Sequence, residues 1–123
     1  MIQPGTRLQV ADNTGAKVVE AITILRGTRH RYARIGDAFV ASVKEAEPRK
    51  LLKKGEIVRC LVVRQRAPFR RKDGTYIKFD DNAVVVVDTE KKEPIGGRVF
   101  GPIPREVGER GYTKIASLAP EVV

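Results

Sequence analysis

The sequence has very few of the residues that most catalytic and metal sites require. Among its 123 residues there is one cysteine, Cys60, and one histidine, His30. A single cysteine cannot form an internal disulfide, and one cysteine with one histidine cannot supply the four ligands of a usual zinc site. Cys60 also lies in an apolar segment, where a thiol is usually an inert packing group. We therefore predict that the protein is not an enzyme, and we expect neither a bound metal nor a cofactor.

Long apolar segments and phosphate-cradling motifs are missing as well. The longest apolar run, residues 83–87, is far shorter than the roughly 20 residues that a membrane-spanning helix needs. None of the 11 glycines falls in a GxGxxG or GxxxxGK[ST] pattern, so no nucleotide-binding loop is predicted. Asp80 and Asp81, the adjacent carboxylates, could bind Mg²⁺, but we favour the commoner interpretation that they cap a turn.

Positive charge is abundant and unevenly distributed. The chain has 24 Lys and Arg against 15 Asp and Glu, a formal charge of +9. The part that ends at Lys72 has 17 basic and 6 acidic residues, a net charge of +11, whereas the remainder has 7 basic and 9 acidic residues, a net charge of −2. Such asymmetry is typical of a protein that binds phosphates through one part of its surface.

Three clusters hold most of this charge. The first comprises Arg26, Arg29, Arg31 and Arg34; the second comprises Arg49, Lys50, Lys53 and Lys54; the third comprises Arg64, Arg66, Arg70, Arg71 and Lys72. Any one cluster is as readily an ordinary solvated surface, but three clusters without local neutralisation would repel one another unless a polyanion lay between them. Arginine dominates the first and third clusters, and its planar guanidinium suits phosphate contact and stacking on bases. We therefore predict an RNA-binding protein.

Aromatic residues are scarce, which argues against one class of RNA-binding barrel. Cold-shock and OB-type proteins place several aromatic side chains on one face of a sheet, whereas this chain has only three Tyr and four Phe, and they are scattered. Tyr32 and Phe69 are the best candidates for stacking on an unpaired base, although core packing is the commoner fate of a single aromatic residue. His30 is interpreted as an RNA-contacting or exposed ring. A basic amphipathic helix that would bind a membrane surface is not visible.

The fold is predicted to be mainly β, either a barrel or a sandwich. Short β-branched runs separated by turn residues predict strands near residues 7–10, 17–25, 39–43, 57–63 and 83–87. The segment 12–15 reads as a hairpin turn, and Asp73-Gly74 predicts a second tight turn that closes a projecting, arginine-bearing hairpin. Residues 48–55 are predicted to form a loop.

After Asp88 the pattern changes, and one or two short helices are expected. Pro104 could occupy the first position of a helix that ends at Gly111. A second helix over residues 112–119 would place Tyr112, Ile115 and Leu118 on one face and end before Pro120. We treat residues 1–123 as one barrel domain, with residues 94–123 as an extension packed on it.

Several motifs in the right order resemble one protein family. They are residues 61–63, Asp73-Gly74, Phe79, Asn82 and Val85-Val86, together with the segments 1–4, 10–16, 35–37, 53–55, 98–102 and 114–122. This pattern, which covers the whole chain, resembles the universal large-subunit ribosomal protein fourteen family. The resemblance implies a five-stranded barrel bound to large-subunit rRNA on the intersubunit face.

The same resemblance implies partners and roles for particular residues. The first and third clusters would bind large-subunit rRNA, and Lys44 with the second cluster would form bridges to small-subunit rRNA. The family also contacts the neighbouring large-subunit protein nineteen. Its C-terminal region docks the ribosome silencing factor, for which Arg98 and Lys114 are the matching positions.

The chain departs from the family pattern at a few places. Cys60 stands where a small Gly or Ala is usual, Gly97 replaces the usual Thr, and Val107-Gly108 replaces a Leu-Arg pair. Gly97 and Gly108 are expected to loosen the factor-binding region, because glycine adds backbone freedom. These departures fit either a divergent bacterial lineage with a cytoplasmic ribosome or an organellar ribosome. No secretory or transit segment is recognisable, so we expect no export.

Overall fold

The computed structural model describes residues 2–24 and 32–123, and five of its strands close into a barrel. These are β1 (Arg7–Val10), β2 (Ala16–Ile24), β3 (Ala38–Ala46), β4 (Ile57–Arg64) and β7 (Ala83–Asp88). Neighbouring strands pair antiparallel in this order, and the barrel closes through a parallel pairing of β1 with β7. A short strand, β8 (Glu93–Pro94), extends the sheet beside β7. The predicted mainly β fold is confirmed.

The remaining elements lie outside the barrel. β5 (Phe69–Arg70) and β6 (Tyr76–Ile77) form a separate hairpin between β4 and β7. After β8 come β9 (Pro102–Ile103), the helices α1 (Glu106–Glu109) and α2 (Thr113–Leu118), and β10 (Glu121–Val122). β10 pairs parallel with β9, a pairing that the sequence pattern did not indicate because both strands have only two residues. No helix in the described ranges is long and apolar enough to cross a membrane.

Apolar side chains, most of them β-branched or small, fill the barrel, and burial alternates along the first part of β3. Phe39, Val19 and Val43 have no solvent exposure. β4 and β7 differ, because consecutive residues from Cys60 to Val63 and from Ala83 to Val87 are all buried. Their outward-facing side chains need cover on the outer surface of the barrel. Buried Val107, Tyr112 and Ile115 of the C-terminal segment belong to the same core cluster, and α2 contacts β8, which lies beside β7.

Asp12 is a buried residue whose carboxylate connects the turn after β1 to β7. Its carboxylate is buried; Oδ1 accepts hydrogen bonds from the Thr14 amide and hydroxyl, at 3.1 and 2.6 Å, and Oδ2 accepts one from the Val86 amide at 2.8 Å. Burial raises the pKa of Asp12 above its ordinary value even though these hydrogen bonds act in the opposite direction. The predicted hairpin turn after β1 is present, and its aspartate also joins the turn to β7 across the closure of the barrel.

The C-terminal helices differ in detail from the prediction. α1 begins at Glu106 rather than Pro104, because Pro104 continues directly from β9 and its carbonyl accepts only a turn-like bond from the Val107 amide. Gly111 follows α1 with a φ of 99°, which suits the predicted end of that helix. In α2 Ile115 is buried as predicted, whereas Leu118 is 38% exposed because the helix ends there and the chain becomes extended at Ala119.

We predict that Asp12→Asn lowers the free energy of unfolding by roughly 1–3 kcal/mol, since an amide offers one oxygen and leaves either Thr14 or Val86 without an acceptor. Urea denaturation followed by circular dichroism measures the change.

Asp88→Asn is the matched control. One oxygen of Asp88 accepts both of its bonds, from the Glu90 and Lys91 amides, so an asparagine can keep them. This variant should unfold within about 0.5 kcal/mol of the parent protein. Equal stability of the Asp12→Asn variant and the control would contradict the role given to Asp12.

Candidate nucleic-acid interface

The hairpin of β5 and β6 has the turn that the sequence predicts. Asp73 Oδ1 accepts hydrogen bonds from the Thr75 amide at 3.0 Å and the Thr75 hydroxyl at 2.6 Å, and these bonds hold the pKa of Asp73 below its ordinary value. Gly74 has a φ of 89°, a conformation that glycine adopts without strain. The Arg71 amide donates to the Thr75 carbonyl across the turn. The turn thus places the basic residues of the third cluster on a defined ribbon.

The two faces of this ribbon differ in character. Directly opposed residues of an antiparallel pair lie on the same face. Phe69 pairs with Ile77, and both are half-buried, with Phe69 packed against the core. Arg70 pairs with Tyr76, and both are exposed. Phe69 is therefore a packing residue in this structure, whereas Tyr32, the other aromatic candidate, is 41% exposed.

Arg71 points away from solvent and joins the hairpin to α1. Its guanidinium donates to the two carboxylate oxygens of Glu106 at 2.7 and 3.2 Å and to the Val123 carbonyl at 2.6 Å. The side chain is only 11% exposed. Because its hydrogen-bond donors are engaged within the chain, Arg71 acts here as a structural residue.

Arg64, at the end of β4, is engaged in the same way. It donates to Asp81 at 3.0 and 3.4 Å and to the carbonyls of Phe100 and Pro102 at 2.8 and 3.2 Å. Gly101 leaves room for the guanidinium, since a Cβ there would lie 2.4 Å from Arg64 Nη1. Asp81 is thus an ion-pair partner of Arg64. The third cluster therefore divides into two internal arginines and three exposed residues, Arg66, Arg70 and Lys72.

The first cluster lies mostly outside the described residues. Arg26, Arg29 and Arg31 fall there, as does His30. Arg34 is described and exposed, and its amide donates to the buried Asp37 at 2.9 Å. Its side chain helps to line a cleft of about 460 Å³, whose other walls include Phe69 of the hairpin. The end of the first cluster therefore lies beside the base of the hairpin.

A second cleft continues this surface along the joint between the hairpin and α1. It has a volume of about 480 Å³, and its charged lining consists of Arg70, Arg71, Lys72 and Arg105 together with Asp73, Glu106 and Glu109. Arg105 is 56% exposed and lies 3.9 Å from Glu106. No cluster of basic residues in the sequence marks Arg105, which lies in the part of the chain with a net negative charge. Folding brings it beside basic residues more than 30 positions away.

We call the exposed residues at this end of the barrel the hairpin-side surface; they are Arg34, Arg66, Arg70, Lys72 and Arg105.

The second cluster lies at the other end of the barrel. Its loop follows β3 and leads into β4, and it packs on the β1–β2 turn, where the Leu52 amide donates to the Thr14 carbonyl. Gly15 permits this approach, since a Cβ there would lie 2.2 Å from Lys50 Cβ. The hairpin leaves from the far end of β4, so about 23 Å of strand separate the two basic surfaces.

Lys44 and the cations of the second cluster differ in their partners. Lys44 lies 3.6 Å from Glu20, and Lys50 lies 4.0 Å from Glu47. Arg49, Lys53 and Lys54 are exposed, with no carboxylate partner among the described residues. We call these three the loop-side surface.

Arg98 and Lys114, the predicted factor-docking residues, both lie in the C-terminal segment. Lys114 is in α2 and forms an ion pair with Glu93 of β8 at 2.7 Å. Arg98 is exposed, and its amide donates to Asn13 Oδ1. The same oxygen accepts from the Gly97 amide, so the backbone at Gly97 is anchored although its side-chain position faces open space.

The structure shows the environment of the Cys60 thiol and of the possible metal ligands. Cys60 is fully buried, and burial raises the pKa of its thiol far above the ordinary value, which keeps it protonated and unreactive. No group of three or more His, Cys, Asp or Glu that could hold a metal ion occurs in the described part of the chain.

The barrel thus has one basic surface beside the hairpin and another at the opposite end of β4. The chain matches the family model of ribosomal protein L14p/L23e over residues 1–123. It belongs to this family. The family is one of structural constituents of the large ribosomal subunit rather than of enzymes, and it places this member at the ribosome and in translation. The resemblance noted in the sequence is thereby confirmed.

We predict that Arg71→Ala lowers the free energy of unfolding by roughly 2–4 kcal/mol, because it leaves the half-buried Glu106 carboxylate without its guanidinium donor and leaves the Val123 carbonyl with the Arg105 amide alone. Urea denaturation of the purified protein measures the loss.

Arg70→Ala is the matched control, since Arg70 is the adjacent arginine on the exposed face of the ribbon. It should change the free energy of unfolding by less than about 0.5 kcal/mol. If the two variants unfold at the same urea concentration, Arg71 does not hold the hairpin on α1.

Proposed function

We propose that the hairpin-side surface binds large-subunit rRNA. One observation carries the proposal: at this end of the barrel the internal arginines are neutralised by carboxylates, whereas Arg34, Arg70 and Lys72 are exposed without such a partner among the described residues. Uncompensated cations of this density on a rigid scaffold favour a polyanion. The proposal extends to three further arginines because they precede Arg34 closely in the sequence: Arg26, Arg29 and Arg31.

The mechanism is neutralisation of phosphates where rRNA helices lie close together. Binding releases the counterions that the phosphates held, so affinity falls steeply as the salt concentration rises. Base-specific readout is minor, because A-form helices present phosphates, 2′-hydroxyls and groove shape more readily than base edges. A closed barrel suits this task, since it holds the cations in fixed positions and loses little conformational entropy on binding.

The loop-side surface is proposed to contact small-subunit rRNA and so to form intersubunit bridges. Arg49, Lys53 and Lys54 lie at the opposite end of β4 from the hairpin, which would let one barrel contact two RNA molecules at once. Lys44 and Lys50 lie beside them, but each faces a glutamate. We expect the exposed residues of this set to contribute most.

The C-terminal segment is proposed to dock the ribosome silencing factor through Arg98 and Lys114. Arg98 is exposed and available, whereas Lys114 would exchange its ion pair with Glu93 for a carboxylate of the factor. Gly108 accepts hydrogen bonds from the Arg110 and Gly111 amides at its carbonyl, which favours an ordered surface despite the glycine. The neighbouring large-subunit protein nineteen is the other protein partner that the resemblance implies.

We predict that combining Arg70→Ala with Lys72→Ala weakens binding to a large-subunit rRNA transcript. The plot of log affinity against log salt concentration should become less steep by roughly 1.4–1.8, the loss expected for two phosphate contacts. Filter binding over a series of salt concentrations measures the slope.

The control combines Arg70→Lys with Lys72→Arg, which keeps both charges and should keep the slope. An unchanged slope in the alanine variant, or a protein that sediments mainly in the soluble fractions of a cell extract rather than with large subunits, would contradict rRNA binding by this surface. The second result would favour a free single-strand-binding barrel.

We predict that Lys53→Glu combined with Lys54→Glu leaves incorporation into large subunits unchanged but weakens subunit joining several-fold, because like charges would then face the small-subunit phosphates. Density-gradient profiles at decreasing Mg²⁺ concentration measure the fraction of joined ribosomes.

Lys53→Arg combined with Lys54→Arg keeps the charge and serves as the control. Normal joining in the glutamate variant would show that the loop-side surface does not face small-subunit RNA.

A further inference from the structure

The high solvent exposure of Tyr76 is explained neither by packing nor by the turn of the hairpin. It is 67% exposed, the highest exposure among the large apolar and aromatic side chains of the described residues. Its partner across the ribbon is Arg70, and the inward face of the same pair of strands is occupied by Phe69 and Ile77. The ring therefore projects from the face opposite to the one that Phe69 packs against the core.

The charge around Tyr76 indicates what kind of partner the ring would meet. Arg70 lies directly opposite on the same face, and Lys78, two residues further along the chain, is exposed as well. Lys72 precedes the turn and is also exposed. The cross-strand pairing gives Arg70 and Tyr76 a common face, whereas Arg71, the next residue after Arg70, reaches Glu106. An aromatic ring bordered by cations is suited to a base with its phosphates.

The face of the ring is also free to stack. Among the described residues the cation that lies over an aromatic ring is Lys92, 5.8 Å from the centre of the Tyr112 ring. Arg70 does not cover Tyr76 in this way, although the two residues are cross-strand partners. Tyr76 also lines neither of the two clefts beside the hairpin, so a group that stacks on it would approach from outside the protein.

We propose that Tyr76 stacks on an unpaired base of large-subunit rRNA, with Arg70 and Lys78 contacting the phosphates on either side. The proposal rests on rRNA binding by the hairpin-side surface and adds a specific contact to it. A ring that stacks needs no hydrogen-bond readout, so the site would select for an unpaired nucleotide rather than for one particular base. The site would thus fix the position of the hairpin on the rRNA, which phosphate contacts alone leave less defined.

The test compares Tyr76→Phe with Tyr76→Leu in equilibrium binding to a large-subunit rRNA transcript. Phenylalanine keeps the ring and should bind within about twofold of the parent protein. Leucine removes the ring and should bind roughly 5- to 150-fold more weakly, the range measured for loss of one stacked base. The salt dependence should be the same in all three proteins, since no charge changes. Ile57→Ala, which removes a similarly exposed apolar group on β4, should bind like the parent.

A second measurement does not depend on affinity. Ultraviolet irradiation of the complex should crosslink Tyr76 to one nucleotide, and trypsin then releases residues 73–78 as a single peptide that carries it. The crosslinked peptide should persist in the Ile57→Ala protein and disappear in the Tyr76→Leu protein at saturating concentration.

The possible results separate this proposal from the one on which it rests. If the parent protein does not bind the transcript, rRNA binding itself is wrong. If Tyr76→Leu binds like the parent while the Arg70→Ala and Lys72→Ala combination is weakened, rRNA binding stands and stacking is overturned. Equal weakening by phenylalanine and leucine would overturn stacking in favour of a hydroxyl contact. Normal binding to the transcript with loss from complete subunits would overturn it in favour of a protein partner.

Discussion

The attachment of the C-terminal segment to the barrel depends on arginines that are withdrawn from solvent. Arg64 leaves the end of β4 and reaches both Asp81 and the backbone before β9, while Arg71 leaves the hairpin and reaches Glu106 of α1. Neither helix has more than six residues, and helices of that length do not persist without tertiary contacts. The two guanidiniums therefore order a segment whose own hydrogen bonds would not suffice. They also fix the hairpin relative to the barrel.

Because Arg64 and Arg71 are paired with carboxylates inside the protein, they contribute little to the charge of its outer surface. A charge that is buried and paired contributes little to the field outside the protein, so the surface potential is set by the cations that remain exposed. These collect at two places, around the hairpin and in the loop after β3. The barrel strands hold the two places apart. One small domain can in this way present separate basic surfaces to different parts of a large assembly, which accords with a family of large-subunit constituents.

Much of the fold could be predicted because its signals are local. The five barrel strands follow from β-branched runs and turn residues, and the hairpin follows from Asp73-Gly74. The site was less predictable, since proximity in the sequence does not decide which way a side chain points. Arg70 and Arg71 are adjacent in the chain, yet the alternation of a strand sends one outward and the other to Glu106. Arg105 joins the same surface only because α1 packs beside the hairpin.

Composition and local pattern by themselves determined that this chain is a basic, mainly β protein, and the order of its motifs indicated the family. Only the tertiary structure decided which cations are free, that Phe69 packs inward while Tyr76 faces out, and that β10 closes on β9. The physical reason is that charge and hydropathy are properties of single residues. Whether an arginine meets a carboxylate or the solvent depends on contacts between segments as far apart as Arg71 and Glu106.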